Sequence, residues 1–427
     1  MTSRESRLNI LWLLALDPHY DMRHGGNLRY GNLSKGLRAL GHHVYYLVTN
    51  HLHEDRSVRN RFLDTLRGEG ALTDYFEIEA CSRPRVRAKL ARFLLHPRVE
   101  DWVMSSARMR YKTRVFGLVD RYDIDLCVLS DRYGLFLLPE LARRAPTIID
   151  WCDSFVLAGL RDLRVRLGNC QVGQVPAVLK ELAREFMNER VYGRYSSANI
   201  VVSPVDKRYL DGINRRPLAN HVLLNGLSVN AGDDIGTPKV PSRLIFTGTM
   251  SFPPNYQAAL WFIKRVMPLL EQRRSDIHLV VAGQEPNCEL RAAARRNVIV
   301  TGFVPDLRQE IAKSQLYVAP LVSGCGFKNK VIEALAGGTF VAATSIAVES
   351  LGEQLRTLLL VADGHLELAN KILQYLDAPE KFNARLTEAR QIVKSEFTWE
   401  GRVEQLLDVF REVTGQAPQP ARSTVSH

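Results

Sequence analysis

The 427-residue sequence has no CxxC pair among its six cysteines (Cys81, Cys127, Cys152, Cys170, Cys288 and Cys325). That argues against a zinc site and against a disulfide framework; scattered thiols of this kind suit a reducing cytoplasm. No stretch reaches the ~18 uninterrupted apolar residues of a membrane-crossing helix. The apolar run near the start, Ile10–Leu16, is too short, and an Asp17-Pro18 turn follows it instead of a small-residue cleavage site. It reads as a buried first strand, not as a signal peptide. Negative charge is in deficit: 57 Lys and Arg stand against 46 Asp and Glu, a net charge of +11. A basic excess suits nucleic acid, an anionic membrane surface or phosphorylated substrates. No nucleic-acid-binding module accompanies it. No repeat relates the two halves of the chain.

A hydrophobic content of 46% is that of a globular protein, and the length allows two or three domains. Leu8–Leu14 is a continuous apolar run, as expected of a strand buried on both faces. A loop with Gly25-Gly26 follows, then a helix over Asn27–Leu40, with Leu28, Leu33, Leu37 and Leu40 near helical spacing. Gly41 ends it, and Val44–Val48 is the next strand. Further strands are expected at Asp125–Leu129, Thr147–Ile149 and Ala198–Val202. The polar stretch 229–242, rich in Gly, Pro and Asp, is a linker. A second series then begins: strand Leu244–Thr247, helix Tyr256–Leu270, and strands Ile277–Ala282, Val298–Thr301, Leu316–Pro320 and Phe340–Thr344. The pattern predicts an α/β protein with two doubly wound, Rossmann-like domains and a cleft between them. The first covers 1–228 and the second 243–396. A C-terminal helix at 397–415 crosses back, and 416–427 is a disordered tail.

The stretch from Ser323 to Gly338, SGCGFKNKVIEALAGG, sits between a strand and a helix. In open α/β sheets ligands bind there, at the carboxyl ends of the strands. Gly324 and Gly326 allow backbone to approach a bulky anion. Cys325, Phe327 and Asn329 complete the loop. The helix start offers unpaired N–H groups and partial positive charge, and Lys328 and Lys330 add full charges. The combination is a diphosphate cradle. Glu333, expected in the first helical turn, places a carboxylate that can accept from both hydroxyls of a ribose. Each lysine alone would more simply be a solvated charge, and Glu333 alone a partner for the helix dipole. Gly248, with Asn255 as a helix cap, and Gly283 put further glycine-bearing strand ends on the same rim, as does Thr301-Gly302-Phe303-Val304.

The second half resembles the donor-binding domain of GT-B glycosyltransferases, in particular the large retaining group called glycosyl transferases group 1, or family 4-like. The residues that carry the resemblance are F-x-G-x-M followed by P-N (Phe246 to Asn255), V-V-A-G (Val280 to Gly283), G-x-V-x-D (Gly302 to Asp306) and the G-x-G-x-K-x-K-x-x-E-A run ending at Ala334. The likeness is specific over about 243–350 and loose elsewhere. It implies a cytoplasmic enzyme that moves a sugar from a nucleotide-diphosphate-sugar to a hydroxyl, with retention, in polysaccharide or glycolipid synthesis. It also implies Lys328 and Lys330 at the donor diphosphate and Glu333 at the ribose. No metal and no cofactor are expected, since lysines stand where a cation would, and Asp123-Ile124-Asp125 reads as a turn before a strand. One departure stands out: many members carry a glutamate eight residues before the helix glutamate, near the transferred sugar, and here that position is Cys325. A nucleotide-sugar-binding subunit without turnover, or a sugar-nucleotide epimerase, are the alternative readings.

The first half fits the same family less closely. Gly25 and Gly26 fall where the family has a glycine loop near donor phosphate and acceptor, and a plain turn is an equal reading. Asp150 and Asp153, at the end of a strand, are either helix caps or acceptor-side groups. His42 and His43 read as surface turn residues, and Asn225-Gly226 as a tight structural turn. The basic, aromatic-tinged segment Arg83–Arg114 suits contact with an anionic membrane surface and a lipid-linked glycan, or an ordinary solvated helix face. No nucleic-acid partner is expected.

Overall fold

A computed structural model describes residues 7–16, 25–50, 56–79, 106–170, 172–214, 218–227 and 237–415. The first domain holds strands β1 (Asn9–Leu14), β2 (His43–Asn50), β3 (Asp74–Glu79), β4 (Leu126–Leu129), β5 (Thr147–Cys152), β6 (Ala198–Val201) and β7 (Asn220–Val222). They form one parallel sheet in the order β3-β2-β1-β4-β5-β6-β7. The second domain holds β8 (Val240–Thr247), β9 (His278–Ala282), β10 (Val298–Gly302), β11 (Ser314–Ala319), β12 (Phe340–Ala343) and β13 (Leu360–Val361), ordered β10-β9-β8-β11-β12-β13, again parallel throughout. In each sheet the strand order reverses beside its first strand: between β1 and β4, and between β8 and β11. Crossover helices diverge to opposite faces there and leave a crevice at the strands' carboxyl ends.

The strands form because their residues are apolar on both faces. All four residues of β4, β6 and β12 are buried, as are the last five of β1. Helices on either face of the first sheet close two apolar layers, one around Trp12, Leu33 and Tyr46, the other around Tyr111, Val115 and Leu135. A separate core fills the second domain. The last helix, Trp399–Thr414, is capped by the Thr398 hydroxyl. It buries Trp399, Val403, Leu406 and Phe410 against the first domain's core although it follows the second domain in sequence.

Several expectations need correction. Gly25 and Gly26 open the first helix, Gly25–Ala39, instead of forming a loop before it. The expected helix Tyr256–Leu270 is longer and interrupted: Pro253–Trp261, a wider π turn over Phe262–Val266, then Met267–Arg273. Pro268 has no N–H to donate and clashes with the preceding turn, which the wider turn relieves. His42 is buried, and its Nδ1 accepts from the Leu8 N–H at 3.2 Å. Strands β3, β7 and β13 were not foreseen; β3 carries three acidic residues and the other two are very short. Of the basic segment Arg83–Arg114, residues 83–105 lie outside the described residues, as do 229–236 of the linker and the tail 416–427. In 106–114, Arg108 lies over the Phe136 ring and Arg114 over Phe76, while Lys112 pairs with Glu140.

Candidate functional site

Three strands of the second sheet end at glycine. β8 runs into Gly248, β9 into Gly283, and β10 ends at Gly302. Gly283 has φ +151°, and a Cβ there would lie 1.7 Å from the Gly248 carbonyl oxygen. Two strand ends thus touch where only glycine fits. Asn255 does not cap its helix. The Ncap is Phe252, and the Asn255 amide donates to the Thr249 carbonyl at 3.0 Å, pinning the loop after Gly248.

Between the domains lies a cleft of about 240 Å³. Gly248, Gly283, Asn329, Lys330 and Glu333 line it, together with residues 303–308 of the second domain and Leu28 and Gly226 of the first. Glu333 is the fifth residue of the Asn329–Ala336 helix, so it lies one turn further in than expected. The shift suits the cleft: its Oε2 accepts from Lys330 Nζ at 2.7 Å, and both side chains face the same wall. The ion pair holds a cation at the start of the helix and a carboxylate one turn below it. The helix start adds unpaired N–H groups and partial positive charge.

The other expected site residues fall into three groups. Gly25 sits against this wall, where a Cβ would meet Asn329 Nδ2 at 3.6 Å; Gly26 faces Tyr30. Lys328, Gly324, Cys325 and Gly326 turn instead toward the first domain. Lys328 Nζ donates to the Cys325 carbonyl. Gly326 has φ +77°, and a Cβ there would lie 1.8 Å from Asp153 Oδ1. Phe327 departs altogether: it packs beside Phe397, ring centroids 5.8 Å apart, against the second core.

Burial governs the protonation of this deeper cluster. It raises the Asp153 carboxyl above its ordinary value, with Lys328 and Arg132 opposing. Burial, with the neighbouring Asp153, pushes Asp206 up to about 6. It also holds the Cys325 thiol well above its usual value, and both aspartates add to the effect. Cys325 is therefore a protonated thiol at neutral pH and no thiolate nucleophile.

Asp150 is committed elsewhere. Arg29, 1% exposed, donates to it through Nε at 2.9 Å, and donates through Nη1 to the Leu223 carbonyl and to Asn225 Oδ1. Asn225 then donates to Asn329 Oδ1 at 3.1 Å. So Asn225 is more than a turn residue: it joins a buried ion pair of the first domain to the first residue of the cleft-lining helix. Neither Asp150 nor Asp153 caps the next helix; Ser154 does, accepting from the Leu157 N–H. Sequence reasoning missed Arg29, Arg161, Asp206 and Gln257. Arg29 had a readable signal, a charge four residues before Leu33 and eight before Leu37, on the helix's core-facing stripe.

Residues 241–378 match the family model Glycosyl transferases group 1. A segment of 142 residues, 31% of this chain, is 27% identical to an uncharacterized 44.6 kDa protein in the cps region of Klebsiella pneumoniae, and the match spans 37% of that protein's length. Over nearly the whole chain the fold is similar to that of a glycosyltransferase from Rickettsia africae (TM-score 0.64, 13% identity, 97% of this chain and 100% of that one). It is similar too to a sucrose-phosphate synthase from Thermosynechococcus elongatus (0.67, 16%, 96% and 100%). HepE from Anabaena, in complex with UDP and glucose, matches as well (0.62, 15%, 95% and 99%). The fold is GT-B. The matched residues 241–378 contain Gly248, Gly283 and the whole of the 323–338 stretch. Among the described residues no helix is long and apolar enough to cross a membrane.

Proposed function

We propose that this GT-B protein moves a sugar from a nucleotide-diphosphate-sugar to a hydroxyl acceptor with retention of configuration, in surface polysaccharide or glycolipid synthesis. The observation that carries the reading is the Lys330–Glu333 pair at the start of the Asn329–Ala336 helix, on a cleft that Gly248 and Gly283 also line. The donor's diphosphate takes the place beside Lys330 and the helix start, and the ribose hydroxyls donate to Glu333. As the bond from anomeric carbon to phosphate oxygen breaks, negative charge grows on the departing diphosphate. A fixed cation and oriented N–H groups stabilise it without reorganising. The acceptor oxygen bonds the same face of the anomeric carbon, and its proton passes to the departing phosphate oxygen. The site we propose uses one side-chain cation, Lys330, at the leaving group in place of a bound metal. The Klebsiella relative's cps-region origin supports a polysaccharide role. That origin and the basic sequence 83–105 support a lipid-linked glycan at the inner membrane face as acceptor class.

The test is incubation of the purified protein with UDP-, GDP- and ADP-sugars in the presence of a chelator. Release of nucleotide diphosphate is followed, and the anomer formed is read by NMR. Release from one donor class, with retained configuration and loss in Lys330→Ala, is the expected result. Tight binding with no release under any acceptor favours the second reading, a binding subunit without turnover, for which the neutral thiol of Cys325 is the motivating observation.

A further inference from the structure

The loop ahead of the cleft-lining helix takes its shape from the other domain. Gly324 and Gly326 both have positive φ, +92° and +77°, so the loop follows a path that ordinary residues do not hold by themselves. Its polar groups find partners across the cleft. The Gly324 carbonyl accepts from Arg161 Nη1 at 2.7 Å. The Gly326 N–H donates to Asp206 Oδ2 at 3.2 Å. The Ser323 hydroxyl donates to Gln257 Oε1 at 2.6 Å, and Gln257 Nε2 in turn donates to Asp162 at 3.0 Å. Arg161, Asp162 and Asp206 all belong to the first domain. Arg161 is the centre of this set. While it holds Gly324, its Nη1 and Nη2 also donate to Glu349 Oε1 and Oε2 of the second domain at 2.6 and 2.7 Å. A bidentate guanidinium–carboxylate pair is geometrically demanding, so Arg161 can reach the Gly324 carbonyl in this way only with the two domains together.

We infer that Arg161 is a positioning residue that couples domain closure to the shape of the 323–328 loop, so that the anion site at the helix start is complete only in the closed arrangement. The inference rests on the donor-site reading above for its consequence, though not for its geometry. An open arrangement loses Arg161 and Asp206 from the loop together; the two glycines then relax, and the backbone leading into Asn329 loses its fixed direction. Arg161 touches no reacting atom in this scheme and acts through Gly324.

The test is amide hydrogen exchange of the 321–333 segment in the full-length protein, with calorimetric titration of UDP, GDP and ADP, for wild type, Arg161→Gln, Arg161→Lys and Glu349→Gln. We expect Arg161→Gln to speed exchange at Cys325–Phe327 about tenfold and to weaken diphosphate binding about as much, with the melting temperature little changed. Arg161→Lys, with one point of attachment where two are needed, gives an intermediate result. Glu349→Gln, which leaves the bond to Gly324 possible, gives the smallest. Arg161 is near the surface, its side chain 18% exposed; should the glutamine variant not fold, the lysine variant decides. Exchange in the loop that is unchanged in a folded Arg161 variant overturns the inference. Faster exchange in a chain whose wild type binds none of the three diphosphates keeps the positioning role and removes the donor-site reading instead.

Discussion

The two sheets end in opposite chemistries. The second sheet's rim is glycine, at Gly248, Gly283 and Gly302, beside a positively polarised helix start with Lys330. The first sheet's rim is carboxylate. Asp131 accepts from Thr49 Oγ1, Tyr111 OH and the Tyr133 N–H. Asp150 is paired with Arg29, and Asp153 and Asp206 face the other domain's loop. One rim leaves room and positive potential for an anion. The other carries carboxylates held largely by their own buried partners. The same architecture thus supplies an open glycine-edged wall in one half and a structural brace in the other, and the proposed diphosphate site lies on the open side.

The comparison can be broken at its tightest point. Gly283→Ala sets a Cβ 1.7 Å from a backbone oxygen that cannot move aside. We expect destabilisation beyond about 4 kcal/mol, read as a collapse of the urea midpoint or failure to fold; a stable, nucleotide-binding alanine variant would show that the two strand ends do not meet as described. Next is the brace. Arg29→Met leaves Asp150 buried without its cation, at a cost of about 3–4 kcal/mol. Arg29→Met with Asp150→Leu should recover much of that loss, and equal stabilities of single and double variants would deny the coupling. Gly326→Ala is milder, about 2 kcal/mol, because the atom it meets is the end of the Asp153 side chain. Adding Asp153→Ala should restore part of the loss, whereas an additive double variant would place the strain elsewhere.

The smallest effect is a pH dependence confined to the first rim. Burial pushes the Glu189 carboxyl up to about 7, against the bonds it accepts from Ser154, Phe155 and Val156. Its folded value lies above the ordinary ~4.3 of an unfolded chain, so the folded state holds the proton longer. The associated stability is complete below about pH 4.3 and is lost as pH rises toward 7; Asp206 adds a like loss up to about 6. The unfolding free energy should therefore fall between pH 4.5 and 7 more steeply in wild type than in Glu189→Gln. Parallel curves would mean that Glu189 titrates normally.

Much of the second domain was legible. Its strands are unbroken apolar runs between short turns, and the glycines that end them fall at fixed places before helices, so periodicity and turn chemistry agreed. Lys330 and Glu333 could be paired from spacing alone, three residues apart on one helix face. What was not legible depends on contacts across the chain. The direction of Lys328 is set by the Cys325 carbonyl and by the first domain, and Phe327 is claimed by Phe397, seventy residues later. Asn225 looked like a turn because its two partners lie 196 and 104 residues away. His42 misled because a histidine between glycine and a strand suggests surface, and only the backbone at Leu8, just ahead of β1, shows what it meets inside. Edge strand β3, with alternating acids, carried too little apolar signal to be read.

The measurement closest to the central claim is calorimetric titration of UDP, GDP and ADP into wild type and Lys330→Ala. The account predicts that wild type binds at least one of them and that the lysine variant binds it at least about tenfold more weakly while keeping its melting temperature. Binding of equal strength in the folded variant, or none of the three by wild type, would contradict a diphosphate site at the start of the Asn329–Ala336 helix.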